Sequence, residues 1–197
     1  PTGLSLSNVS AGTNWVKGTV AVTGWGGLGD ATTRYRNLSV LQTNDKETSI
    51  RRYQRVYGNT LSSAITVNNS TEYGTMTIVP NTKYWLWWYA TNGTSSVESP
   101  TTSTTTVYTL PSALSAKSAS VTGTTTVKIS YTTAAEGNAY SKKIQYSLDG
   151  TTWTTGATVS TGSATSGEFT ISNLTPGTAY TIRLRTSTTA GATSSGS

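Results

Sequence analysis

The sequence contains no cysteine and no histidine. The first absence excludes disulfides and thiolate chemistry and leaves the redox compartment unreadable. The second removes the commonest general base and the commonest metal ligand. Charged residues make up only 11% of the chain, against about 25% in ordinary globular domains. No apolar run approaches the ~18 residues of a membrane span, so membrane insertion is not expected. The N-terminus lacks the charged-then-apolar pattern of a signal peptide. The first residue is Pro, not Met, which reads as a processed chain or a piece of a longer one.

The carboxylates are few and scattered: Asp30, Asp45, Glu47, Glu72, Glu98, Glu136, Asp149 and Glu168. Glycoside hydrolysis needs two carboxylates facing each other across a pocket. Only Asp45 and Glu47 are close in sequence, and they flank Lys46 in a polar turn. No set has metal-ligand spacing. The expectation is therefore no enzyme, no metal and no cofactor.

What the chain has in abundance is Ser and Thr, roughly a third of its residues. Thr suits strands because its β-branch packs on a pleated surface. The net charge of +6 hints at an anionic partner. Fourteen Lys and Arg against eight Asp and Glu is too small an excess to argue for nucleic acid.

A repeat organises the rest. Leu174-Thr175-Pro176-Gly177-Thr178-Ala179-Tyr180 leads into the alternating run Thr181-Ile182-Arg183-Leu184-Arg185. Ile78-Val79-Pro80-Asn81-Thr82-Lys83-Tyr84 leads likewise into Trp85-Leu86-Trp87-Trp88-Tyr89. Pro80 and Pro176 are 96 residues apart, as are Tyr84 and Tyr180. Each Tyr is expected to fold its ring into a core and to bond its hydroxyl to nearby backbone. Short alternating runs separated by turn signals fill both halves, and no helical periodicity is present. The reading is all-β: two tandem sandwich domains, residues 1–108 and 109–197. Val20 and Val127 are offset by 107 residues, against 96 at the corner. The first domain is thus expected to carry extra residues around the Arg51–Tyr57 stretch. The second has little sequence left after its last hairpin, only Gly191–Ser197, and its final strand is expected to be incomplete.

The corner Leu-x-Pro-x-x-x-Tyr, its alternating strand and a Gly-Ser return strand resemble the fibronectin type III family. The match runs over Val127–Ser195 in the second half and Met76–Ser99 in the first. Tyr131 stands where that family usually has a Trp, and the first half has Gly24 or Trp25, so the broader immunoglobulin-like name also fits. The resemblance implies a non-catalytic spacer, display or adhesion module. Such modules occur in phage virions, on bacterial surfaces and beside secreted glycosidases. Ser147-Leu148-Asp149-Gly150-Thr151-Thr152-Trp153 is close to the Asp-box of sialidase-like propellers but lacks one residue between Asp and Gly. Asp-Gly is also a simple hairpin turn.

Two features point to a partner surface. Register places Tyr84, Leu86 and Trp88 on the core face, so Trp85, Trp87 and Tyr89 point outward. Such a run is covered by the chain itself, by a partner protein or by a sugar. Arg51, Tyr53, Arg55 and Tyr57 share one face of a second strand, which is either a partner site or a charged edge that resists pairing. Tyr35 and Asn37 should join the outer face from the neighbouring strand, and Arg34 and Arg36 could extend its basic area. The site expected is Trp85, Trp87, Tyr89, Tyr35, Arg51, Tyr53 and Arg55. Its partners would be other subunits of an extracellular assembly, on a virion or a cell surface, or a host-surface glycan. Asn8, Asn37, Asn92 and Asn173 lie in Asn-x-Ser/Thr sequons, a weak signal in so Ser/Thr-rich a chain.

Overall fold

The computed structural model describes residues 1–27, 29–71, 73–136, 141–160 and 162–188. Among these there is no helix, only strands, turns and loops. The chain divides into two compact units. One is Pro1–Ile78 with Lys83–Thr109; the other runs from Leu110 and takes in Val79–Thr82. The expected incomplete C-terminal strand lies outside the described residues, as do Leu28 and Glu72.

The first unit holds β1 (Ser5–Ala11), β2 (Trp15–Ala21), β3 (Tyr35–Leu41), β4 (Arg51–Tyr57), β5 (Ser62–Asn68), β6 (Tyr73–Gly74), β7 (Lys83–Thr91), β8 (Ser96–Glu98) and β9 (Thr106–Tyr108). One sheet has the order β1-β2-β5. The other has the order β6-β4-β3-β7-β8, with β9 also on β7. Alternation decides the core. Val16 and Val20 of β2, Ile65 and Val67 of β5, Leu38 and Val40 of β3, and Tyr84 and Leu86 of β7 form one buried cluster. Trp88 packs against it half-buried, so the register expected for β7 holds. Fully burying each such side chain is worth about 1.5–3 kcal/mol.

The Arg51–Tyr57 stretch is β4, paired along its length with β3. It is a strand of the larger sheet. Beyond it, β6 pairs only with Arg52 and Tyr53. Gly74 permits that pairing: its φ is +93°, and a Cβ there would lie 2.3 Å from the Arg51 carbonyl oxygen.

Arg36 does not extend a basic surface. It is fully buried on the inner face of β3, and its guanidinium lies 5.2 Å from the Trp25 ring centre. Its head donates to the Thr60 carbonyl, and burial pulls its pKa down. Trp25, apolar in a glycine-rich loop, is buried too, and its indole N–H donates to the carbonyls of Asn59 and Thr60. Arg34 donates to Asn59 Oδ1 and the Gly26 carbonyl, away from the outer face of β4.

The Asn92-Gly93 signal marks a hairpin between β7 and β8. Asn92 Oδ1 accepts the Thr94 and Ser95 N–H groups, and Gly93 takes φ +87°. The return strand is interrupted after Ser99, where Pro100 has no N–H to give. Pairing with β7 resumes at β9.

The second unit holds β10 (Leu114–Gly123), β11 (Thr126–Thr133), β12 (Lys142–Ser147), β13 (Thr154–Val159), β14 (Ser166–Ile171) and β15 (Arg183–Thr188). Its sheets have the orders β10-β11-β14 and β13-β12-β15. Ile129, Ile171, Leu174 and Leu184 form a core cluster, with Tyr146 and Phe169 packed against it. At another point Lys142 and Glu136 form a fully buried ion pair at 3.0 Å. Glu136 also accepts the Ser112 N–H at 2.7 Å.

The two corner tyrosines differ. Tyr84 is 2% exposed, and its hydroxyl donates to the Thr77 carbonyl at 3.4 Å. The Tyr180 ring is 37% exposed, so the expectation that it enters the core is corrected. Its hydroxyl accepts the Thr175 N–H at 3.0 Å; the Thr175 side chain first, and then that N–H, pull the phenol pKa down. The inward strand face starts only at Ile182 and Leu184.

The Asp149-Gly150 element is the β12–β13 hairpin turn. Asp149 Oδ1 accepts the Thr151 and Thr152 N–H groups, each at 2.7 Å. Trp153 lies under the Arg185 guanidinium, 4.1 Å from its ring centre.

Candidate functional site

A trough of about 280 Å³ opens on the outer face of the first unit's larger sheet. Strand register builds it. Arg55 of β4, Asn37 of β3 and Tyr89 of β7 stand in one cross-strand row. Tyr53, Ser39 and Trp87 form the next. Small polar residues therefore occupy the central strand, and large side chains stand on each flank. The floor is low and the walls are high because of residue size alone. Asn37 and Ser39 are each 1% exposed, although they point away from the core.

The β4 wall is cationic and aromatic. The Arg55 guanidinium lies among three tyrosines, 4.9 Å from the Tyr35 ring centre, 5.3 Å from Tyr53 and 5.1 Å from Tyr73. Tyr53 and Tyr73 are stacked at 5.1 Å. Burial lowers the Arg55 pKa, but the Tyr57 hydroxyl bond and the phenols of Tyr89, Tyr35 and Tyr53 outweigh it, and the pKa is raised. Arg51 sits 5.7 Å from the Tyr53 ring centre. Among the described residues, neither Arg51 nor Arg55 has a carboxylate within ion-pair distance.

The opposite wall is Trp87 and Tyr89, with ring centres 4.9 Å apart. Trp87 is only 6% exposed. Its indole N–H donates to the Ser99 carbonyl, and the Lys46 ammonium covers its ring at 4.4 Å. Lys46 in turn bonds Glu98 at 2.7 Å and lies 3.5 Å from Glu47. Tyr35 abuts the site, its hydroxyl 2.5 Å from that of Tyr89. Burial first, and then that bond, push the Tyr89 pKa up.

The trough thus gathers Trp87, Tyr89, Arg51, Tyr53 and Arg55, with Tyr35 adjoining. Trp85 is half-buried under the Lys83 ammonium, 4.9 Å from its ring centre, and does not line the trough. Sequence reasoning missed Ser39, Lys46, Glu47, Ser96 and Glu98. The Asp45–Glu47 turn reads as ordinary polar surface, and nothing local marks it as a cover for Trp87. Two polar atoms are buried here without a hydrogen-bond partner: Asn37 Oδ1 and Arg55 Nε. Asn37 Nδ2 donates to the Ser39 hydroxyl at 2.8 Å.

No group of three or more acidic side chains among the described residues is arranged to hold a metal ion. The model of the fibronectin type III domain matches residues 110–197. That segment is similar to the fibronectin type III family. The whole chain shares its fold with a two-domain fibronectin type III segment of chicken tenascin, at 16% identity and a TM-score of 0.50, covering 100% of this chain and 95% of that one. The FN1-FN3 domains of chicken CNTN1 align over 100% of this chain and 67% of theirs, at 16% identity and a TM-score of 0.34. No curated protein matches the chain by sequence. The architecture is thus a tandem of fibronectin type III-like β-sandwiches. Fibronectin type III domains are generally non-catalytic, commonly mediate protein–protein contacts and typically occur in extracellular or surface proteins. No helix among the described residues is long and apolar enough to cross a membrane.

Proposed function

We propose that the chain is a non-catalytic structural and display module of a larger extracellular assembly, a phage virion (tail or capsid decoration) or a bacterial surface structure. Its partner-contact surface is the outer face of the first unit around Trp87, Tyr89, Tyr35, Arg51, Tyr53 and Arg55, with Trp85 beside it. One observation carries this reading: the outer face of β7 is aromatic where the repeat gives the second unit no aromatic side chain. At the positions of Trp85, Trp87 and Tyr89 the second unit has Thr181, Arg183 and Arg185. Trp, Tyr and Arg are the side chains that dominate interface energetics. The second unit is then mainly a spacer. The Ser- and Thr-rich strands and the absence of Cys and His suit a structural part.

Immunogold electron microscopy of the source particle or cell, with antibody against the second unit, tests the assignment. Label on the outer surface of intact particles is expected. Label confined to the interior overturns it. A second reading, an adhesion module that holds sugar, is favoured by the unpaired amide oxygen of Asn37 in the trough.

A further inference from the structure

We propose that the trough over Asn37 binds a single carboxylate-bearing sugar ring, a uronic acid unit of an acidic glycan. This deepens the reading of that face as a contact surface and rests on it. Small-molecule sites run from roughly 300 to 1,000 Å³. At about 280 Å³ the trough sits at the lower limit, which suits one ring and not a length of polymer.

The groups in the trough set the chemistry. Arg51 and Arg55 have no carboxylate partner among the described residues, and Arg55 Nε is buried without a hydrogen-bond partner. That wall therefore calls for an anion, and guanidinium matches a carboxylate in shape as well as charge. A bare anion fails at the floor and at the far wall. Asn37 Oδ1 is an acceptor and needs a donor. Glu47 and Glu98 line the same space, both paired to Lys46 there, and their oxygens are acceptors that a simple anion cannot serve. A uronic acid meets all three demands at once. Its carboxylate takes the guanidinium wall. Its ring hydroxyls donate to the Asn37 oxygen and to the carboxylates. Its C–H faces lie against the Tyr53 and Tyr89 rings. A hydroxyl both donates and accepts, so it serves the Asn37 amide whichever end is presented.

The test is an NMR titration of the ¹⁵N-labelled full chain, following the Asn37 amide and the Trp87 indole N–H. The probes are methyl glucuronide, methyl glucoside, sodium acetate and an acetylated tetra-aspartate peptide. The glucuronide is expected to saturate both signals at least tenfold more tightly than the other three. Arg55→Gln, at a half-exposed site, should weaken the glucuronide tenfold or more with an unchanged amide spectrum elsewhere. Asn37→Ser should weaken it as well. Equal binding of the glucoside overturns the acidic assignment. Equal binding of acetate reduces the site to an anion hole and overturns the sugar. Tighter binding of the peptide makes the trough a protein contact and overturns it too, as does the absence of any shift. Surface label on the source particle with an empty trough would leave the display module intact and remove only the sugar.

Discussion

The Lys46 ammonium lies 4.4 Å from the centre of the Trp87 ring and 2.7 Å from a Glu98 carboxylate oxygen. One lysine thus masks the largest outward aromatic beside the trough and is held there by an acid on β8. Lys46→Ala should cost about 0.5–1 kcal/mol in chemical denaturation, the scale of one cation–π contact at a partly exposed site. The more telling readout is fluorescence quenching. Acrylamide access to one additional tryptophan is expected, and unchanged access would show that Lys46 is not the cover.

The two outward tryptophans should behave differently. Trp87 is buried, so Trp87→Ser is expected to cost about 3–5 kcal/mol, the range for removing a buried aromatic. Trp85 is half-buried, and Trp85→Ser should cost about 1 kcal/mol, within the usual range of a single substitution. Urea midpoints of the two single variants measure this. Equal losses would contradict the separate surroundings described above.

The corner tyrosines give a matched pair. Tyr84→Phe strands the Thr77 carbonyl beside a buried ring and should cost about 1 kcal/mol. Tyr180→Phe leaves the Thr175 N–H near solvent, where water replaces the lost acceptor, and a smaller loss is expected. Differential scanning calorimetry of both variants decides the order.

The Lys142–Glu136 pair is buried on both sides. Glu136→Leu or Lys142→Met alone strands a charge and should cost about 3–5 kcal/mol. The double variant Glu136→Leu with Lys142→Met should recover most of that loss, because it removes both charges from a dry site. A double-mutant cycle with no coupling would refute the pairing.

Acid stability follows from the aspartate turns. Asp30 falls from its ordinary 3.8 to about 2, led by its bonds from the Thr32 hydroxyl and N–H. Asp149 lies lower still, led by the Thr152 and Thr151 N–H groups. A carboxylate depressed in the folded state stabilises above its unfolded pKa, and that contribution is lost as pH falls through the folded value. Stability should therefore be flat in these groups near neutrality and decline from about pH 4 toward pH 2. Asp149→Asn keeps an acceptor oxygen but does not titrate, so its thermal midpoint should fall less steeply over that window. An identical slope would rule out Asp149 as a source of the acid limb.

Much of this was readable from the chain itself. A side-chain period of two is set by the backbone, so Tyr84, Leu86 and Trp88 could be assigned to the core of the first unit without coordinates. The 96-residue repeat announced two copies of one plan, and Asp149-Gly150 and Asn92-Gly93 announced their turns through local hydrogen bonding. The gathering of Arg51, Tyr53 and Arg55 on one face followed from the same alternation.

Long-range pairing decided the rest. That β3 lies between β4 and β7 is a fact of tertiary structure, and it alone sets Asn37 between Arg55 and Tyr89. Alternation tells which face a residue takes, but not what stands beside it. Hence Arg36, one residue from Asn37, is buried against Trp25, and Lys46, from an ordinary-looking turn, closes over Trp87. The trough exists because small side chains on a central strand are flanked by large ones from strands distant in sequence. Only the register between those strands could place them together.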